Sequence, residues 1–160
     1  MESVYLETSF LSYLVALPSR DLVIAAHRQI TAEWWNTQRD EFDCFISQFV
    51  IDEASPGDPE EIRKRMEIVK YLNAFEVTVE AEELAGHIVG SGIIPQMAVN
   101  DAPHIAVAAV HGIDYILTWN CKYLANAQIL KKVRAVCQAR GYQTPDVCTP
   151  EELMEDDDNG

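Results

Sequence analysis

The chain lacks cysteine pairs spaced as C-x-x-C and any cysteine–histidine spacing of a zinc site; Cys44, Cys121, Cys137 and Cys148 stand apart. That excludes a disulfide-dense scaffold or zinc module and points to reduced, half-buried thiols in a cytosolic protein. No apolar stretch approaches the roughly 18 residues of a membrane span. No secretory signal pattern opens the sequence, because Glu7 interrupts the first apolar run. A soluble cytoplasmic protein with no membrane partner is the expectation. G-x-G-x-x-G, G-x-x-x-x-G-K-[ST] and G-x-S-x-G are all missing, which removes dinucleotide, P-loop and α/β-hydrolase chemistry. Basic residues are also scarce, with 12 Lys and Arg against 26 Asp and Glu, a net charge of −14. Residues 151–160 hold six of those acids and no base, so the rest of the chain carries 20 acids against 12 bases, or −8. Such a surface repels phosphate and excludes nonspecific nucleic-acid binding through a broad basic patch. It leaves open a nuclease whose metal ions supply the positive charge locally, and a basic protein partner.

What is present is an average globular composition, 48% apolar and 24% charged over 160 residues. One domain of that size buries roughly 70% of its unfolded surface without staples. Short Val/Ile/Leu runs alternate with helical periodicity. Strands are expected at Val4–Glu7, Phe42–Ile46, Phe75–Val79, Asp114–Thr118 and Asp146–Thr149. Helices are expected at Phe10–Ala16 (capped by Thr8 or Ser9), Leu22–Thr37, Gln48–Ala54 (capped by Ser47), Asp58–Leu72, Ala81–Gly90, a stretch from Gln96 or Asp101 to His111, and Ala127–Arg140. Strands separated by helices predict a three-layer α/β/α sandwich around a mostly parallel sheet. Residues 1–150 read as one domain and 151–160 as an acidic flexible tail, frayed over Glu155–Asp158.

Two strands end in oxygen-bearing side chains: Val4-Tyr5-Leu6 in Glu7-Thr8-Ser9, and Tyr115-Ile116-Leu117 in Thr118-Trp119-Asn120. In open α/β sheets that carboxyl edge is where ligands sit. Glu7 reads equally as a metal ligand or as a helix cap or lysine partner. Asp101 opens an alanine-rich helix, where an acid either serves the helix dipole or faces a ligand. Glu53 lies three and four residues from Val50 and Phe49, which puts it on the buried side of its helix and Asp52 at the edge. Asn120 offers a hard-cation ligand or a turn residue. Asp114, at the start of its strand, belongs to the opposite edge. His104, one turn from Asp101, reads as a core histidine or as a group that orients a carboxylate. His27, His87 and His111 lack clustered partners, and Cys121 has no histidine near it. Trp34 and Trp35 read as core plus partner interface.

The order of these features resembles the PIN-domain ribonucleases, and among them the VapC-type toxins of bacterial toxin–antitoxin pairs. The likeness covers residues 3–150 and is most specific in Asp101–Leu124, with Asp-Ala-x-His-Ile-Ala-x-Ala followed by Gly-x-Asp-x-x-Leu-Thr-Trp-Asn-x-Lys. It implies that Glu7, Glu53 and Asp101 fill the acidic metal-holding positions. Asn120 falls at the fourth, where relatives carry Asp or Asn, and Thr8 and Thr118 supply hydroxyls. Glutamate stands at the first position where aspartate is usual, and Asn120 removes a charge, so one firm Mg²⁺ (or Mn²⁺) is expected. The implied activity is metal-dependent endonucleolytic hydrolysis of single-stranded RNA, with an antitoxin partner and a homodimer, the Leu22–Trp35 helix offering an interface. A second reading keeps the scaffold and drops the cleavage: a PIN-like protein that acts by binding a partner. A phosphatase needs Asp-x-Asp after the first strand, which Glu7-Thr8-Ser9 lacks.

Overall fold

Val4, Tyr5 and Leu6 are fully buried, and the strand they form, β1 (Ser3–Leu6), is the centre of a five-stranded sheet. The computed structural model describes residues 1–155, and at 96–98 the backbone only. On one side of β1 lie β2 (Asp43–Ser47) and then β3 (Asn73–Phe75); on the other lie β4 (Tyr115–Leu117) and then β5 (Asp146–Cys148). Every pairing is parallel, so each strand is reached through a helical crossover. The crossovers are α1 (Thr8–Val15) with α2 (Leu22–Thr37), α3 (Gln48–Ala54) with α4 (Pro59–Val69), α5 (Val79–Gly90) with α6 (Ala102–Val110), and α7 (Ala127–Ala139). Helix α1 packs against α2, α3 and α4, and α5 packs against α6 and α7. Right-handed crossovers put the two groups on opposite faces, giving the expected three layers.

Strand order 3-2-1-4-5 means the chain reverses its direction of travel between β1 and β4, the switch point at which such sheets open a crevice. Leu6 is in register with Leu117, and Glu7 N–H continues the ladder to Leu117 O at 3.0 Å. Glu7 and Thr118 therefore leave the sheet side by side. Helix α6 is built of Ala102, Ala106, Ala108 and Ala109, all 4% exposed or less, so it lies close to the sheet and holds Asp101 at the same edge. Trp34, Phe10, Leu11, Ile46, Leu84 and Ile105 fill the layers, each worth about 1.5–3 kcal/mol on burial. At the far edge Asp114 accepts from Ser3 N at 2.8 Å and ties β4 to β1.

Several boundaries differ from the sequence reading. The third strand ends at Phe75, and Thr78 caps α5 by accepting from Ala81 N, so the cap overrides the β-branched run Val77–Val79. Helix α4 stops at Val69, although Asp58 and Pro59 start it as expected. Neither Thr8 nor Ser9 caps α1; Glu7 does. Ser47 occupies the cap position of α3 without making the cap bond, because its hydroxyl goes to Tyr5. The stretch before α6 is a 3-10 turn over Gln96–Asp101. The expected tail begins too early at 151: Leu153 and Met154 pack against the core, and Leu153 O accepts from Trp34 Nε1 at 3.1 Å. Fraying over 156–158 lies outside the described residues. Among the described residues no helix is long and apolar enough to cross a membrane.

Candidate active site

Glu7 sits at the mouth of the switch point, 5% exposed, with its carboxylate folded back over the start of α1. Its Oε2 accepts from Ser9 N at 2.9 Å, from Thr118 Oγ1 at 2.9 Å and from Ser9 Oγ. Ser9 Oγ in turn accepts from Trp119 N at 2.9 Å. Thr118 Oγ1 accepts from Asn120 N at 2.9 Å, and Asn120 Nδ2 donates to Asp101 Oδ2 at 3.1 Å. Glu7, Thr118, Asn120 and Asp101 thus form one unbroken hydrogen-bonded chain across β1, β4 and α6. The Asn120 amide is oriented by Tyr123 N–H, which donates to its Oδ1 at 3.1 Å. Of the two sequence readings of this residue, cation ligand or turn residue, the oxygen makes the turn hydrogen bond, and the amide presents its NH₂ to Asp101.

A second cluster abuts the first. Glu53, at the end of α3, accepts from Thr8 Oγ1 at 3.1 Å and pairs through the same Oε1 with His104 Nε2. His104 is fully buried, and its Nδ1 lies 2.6 Å from the Tyr5 hydroxyl, itself 2.7 Å from Ser47 Oγ. Thr8 follows Glu7 directly, and His104 lies one turn beyond Asp101, so the clusters share two anchor points. All six residues singled out by sequence (Glu7, Thr8, Glu53, Asp101, Thr118 and Asn120) are in this assembly. Glu53 is less buried than its helix spacing suggested, its side chain 41% exposed at the rim. Asp52 points away and accepts from Gln48 at 2.8 Å.

The charges interact. Desolvation pushes the Asp101 carboxyl above the usual carboxylate range, and the negative charges of Glu7 and Glu53 push the same way, only partly offset by His104 and Asn120. Burial also raises Glu53, but the His104 hydrogen bond and charge, with Thr8, outweigh it and hold that carboxyl low. Burial opposes protonation of His104, yet Glu53, Glu7 and Asp101 together raise it. Among the described residues the cationic group acting on Asp101 is His104. Each carboxylate keeps one oxygen with no hydrogen-bond donor among the described residues: Glu7 Oε1, Glu53 Oε2 and Asp101 Oδ1. Among the described residues no group of three His, Cys, Asp or Glu side chains, Glu7, Glu53 and Asp101 included, is placed to hold a metal ion. Mg²⁺ does not require three, since it is held by one or two carboxylates and keeps several waters. Undonated hard oxygens and surplus negative charge fit such a cation; they do not fit a soft metal.

From sequence His104 stays undecided, Tyr5 has no role, and Ser9 and Ser47 read as helix caps. The i, i+3 spacing of Asp101 and His104 was the available signal, since it puts both on one helix face. Tyr5 gave none, because its partners lie 42 and 99 residues away. Trp119 stacks on His27, centroids 3.9 Å apart, and donates to Thr31 at 2.7 Å, which pins the loop between Thr118 and Asn120. The cysteines are not activated: burial raises all four thiols, Cys44 to about 11 and Cys148 to about 12.

This arrangement is the PIN-domain fold, as found in VapC toxins. VapC20 of Mycobacterium tuberculosis, a sarcin-ricin loop cleaving toxin, superposes with a TM-score of 0.57 at 18% identity, over 71% of this chain and 87% of its own. VapBC2 of Rickettsia felis, bound to a DNA fragment from its promoter, gives 0.60 at 14% identity, over 91% and 97%. DNA-bound VapBC of Salmonella typhimurium gives 0.55 at 15% identity, over 94% and 99%. At these identities the likeness is one of fold. No protein-family model matches the sequence, and no curated protein does.

Proposed function

We propose that the protein is a Mg²⁺- or Mn²⁺-dependent endoribonuclease acting on single-stranded RNA, and the toxin of a toxin–antitoxin pair. The observation that carries this reading is the carboxyl edge of β1 and β4. There Glu7 is linked to Asp101 through Thr118 and Asn120, and Glu53 is held by Thr8 and His104 beside them, each carboxylate with an oxygen free of donors among the described residues. Those three residues would hold the cation. The chemistry it supplies when bound is Lewis-acid stabilisation of charge on a phosphodiester under attack. Thr118 and Thr8 fix the Glu7 and Glu53 carboxylates, and the Asn120 amide holds Asp101 in register with them. Glu53, half-exposed at the rim, faces incoming substrate. The cationic group acting on Asp101 is His104, which Glu53 already engages, so the RNA backbone depends on the bound metal for attraction, which suits an enzyme of net charge −14.

The partner proposals follow the fold: an antitoxin across the acidic crevice, and a homodimer through the exposed apolar end of α2. There Leu22 is 85% exposed and Val23 62%. One observation favours the alternative of a non-cleaving scaffold that works by binding a protein: Glu7 Oε2 and Asn120 Oδ1 are both committed to internal hydrogen bonds. Calorimetric titration with Mn²⁺, alongside cleavage of an unstructured RNA, separates the two. The nuclease binds at least one Mn²⁺ per chain and cleaves only with the metal present. A chain that does neither is a scaffold.

A further inference from the structure

Glu53 is the acid most loosely attached to the sheet, on a seven-residue helix with its side chain 41% exposed, yet one of its oxygens is doubly held. Behind it runs a buried polar row: Glu53 Oε1, His104, the Tyr5 hydroxyl and Ser47 Oγ, spanning α3, α6, β1 and the end of β2. A carboxylate only accepts, so His104 Nε2 carries a proton toward Glu53. On the other side the hydroxyls of Tyr5 and Ser47 donate or accept, and the row stays fully hydrogen-bonded for either form of the ring. Tyr5 and His104 are both fully buried in the core, so neither shifts without disturbing close-packed neighbours.

We propose that Tyr5 and His104 are positioning residues. They form a rigid strut that, with Thr8, consumes Glu53 Oε1 and leaves Oε2 as the single oxygen Glu53 offers to the site. This rests on the ribonuclease reading for its catalytic consequence, though not for its geometry. Glu53 then works through one fixed oxygen, where an untethered rim carboxylate would rotate freely and chelate.

Tyr5→Phe removes the hydroxyl and keeps the ring. The test compares wild type, Tyr5→Phe, Glu53→Gln and the double variant in Mg²⁺-dependent cleavage of single-stranded RNA. Tyr5→Phe is expected to lower kcat on the order of 10-fold with KM for RNA unchanged, as loss of an outer support does. In the Glu53→Gln background the same change should have no further effect, because the strut acts only through Glu53. Effects that multiply, or a change confined to KM, overturn the proposal. A second readout needs no activity: ¹³C NMR of the Glu53 carboxyl and exchange of the His104 Nε2 proton. Tyr5→Phe should shift the first and speed the second, whereas unchanged signals also overturn the strut. If the wild type cleaves no RNA, the ribonuclease reading fails, and the NMR comparison still decides the strut.

Discussion

Replacing Asp101 with asparagine should abolish function and stabilise the fold at the same time. Asp101 carries a charge that burial penalises and that Glu7 and Glu53 repel. Two unit charges about 6–8 Å apart at an effective dielectric of about 20 interact by about 2–3 kcal/mol. His104 offsets part of this, and a half-buried carboxylate is further screened by water. A net relief of about 1 kcal/mol is the working figure, and in a chain of this length it raises Tm by about 2–4 °C. The shape of the side chain is kept, and the new amide oxygen still accepts from Asn120. The pH dependence follows from the direction of the shift. The folded state raises the pKa of Asp101, so its penalty is fully present above the folded value, fades as pH falls through that value, and is gone below the ordinary 3.8. The Tm advantage of Asp101→Asn is therefore expected at pH 7 and should vanish near pH 3.

Added Mg²⁺ reverses the order, because a cation that binds the folded wild type stabilises it by mass action and the variant has lost a ligand. Cleavage of single-stranded RNA should fall on the order of 100-fold or more. Differential scanning fluorimetry with and without Mg²⁺, beside a cleavage assay, reads all three effects. Wild-type cleavage by Asp101→Asn, or a variant that melts lower than wild type without metal, refutes the reasoning.

Three further outcomes are expected. Glu7→Ala strips the α1 cap and leaves the Thr118 and Ser9 hydroxyls without their acceptor; urea unfolding should show a loss of about 2–4 kcal/mol, and a loss under 1 would mean the cap is idle. His111 stacks on Phe75 at 4.0 Å, and burial lowers its pKa, so stability should decline as pH falls below 6.5. His111→Gln should flatten that slope by less than about 1 kcal/mol, measured by urea melts at pH 5 and 7. Leu22→Glu with Val23→Glu, on the exposed end of α2, should leave Tm nearly unchanged and dissociate the proposed homodimer in analytical ultracentrifugation; a wild type that sediments as a monomer refutes the dimer, and a dimer that persists in the variant moves the interface elsewhere.

Much of this fold was legible because its signals are local. Val4–Leu6 and Tyr115–Leu117 are apolar runs that end in polar residues, and Asp58-Pro59 announces a helix start with both a cap and a preset backbone angle. The same locality explains the errors. Val77–Val79 has strand composition, yet Thr78 can cap, and only the three-dimensional course of the chain decides between them. Leu153 sits among acids that read as tail, although its carbonyl meets Trp34 119 residues earlier. In the candidate site, residue types and order gave six positions, while their hydrogen bonds depend on contacts spanning 19 to 111 residues. Glu7 was posed as either cap or functional acid. It caps with one oxygen and leaves the other free, so the alternatives were never exclusive.

That double use accounts for glutamate at the first acidic position. Asp21 and Asp58 show how a shorter acid behaves at a helix start in this same protein. Each spends one oxygen on two consecutive amides, those of Val23 and Ile24 or of Glu60 and Glu61. Held that close to its own backbone, neither reaches a neighbouring strand. Glu7 accepts from only one amide of α1, Ser9 N, and its extra methylene carries the same oxygen to Thr118 on the far side of the switch point. One cap hydrogen bond, worth about 0.5–1.5 kcal/mol, is given up for a tie between β1 and β4. The tie sets the distance between the two strand ends from which Glu7 and Asn120 project, and Asn120 in turn holds Asp101. The longer side chain therefore organises the crevice as well as lining it.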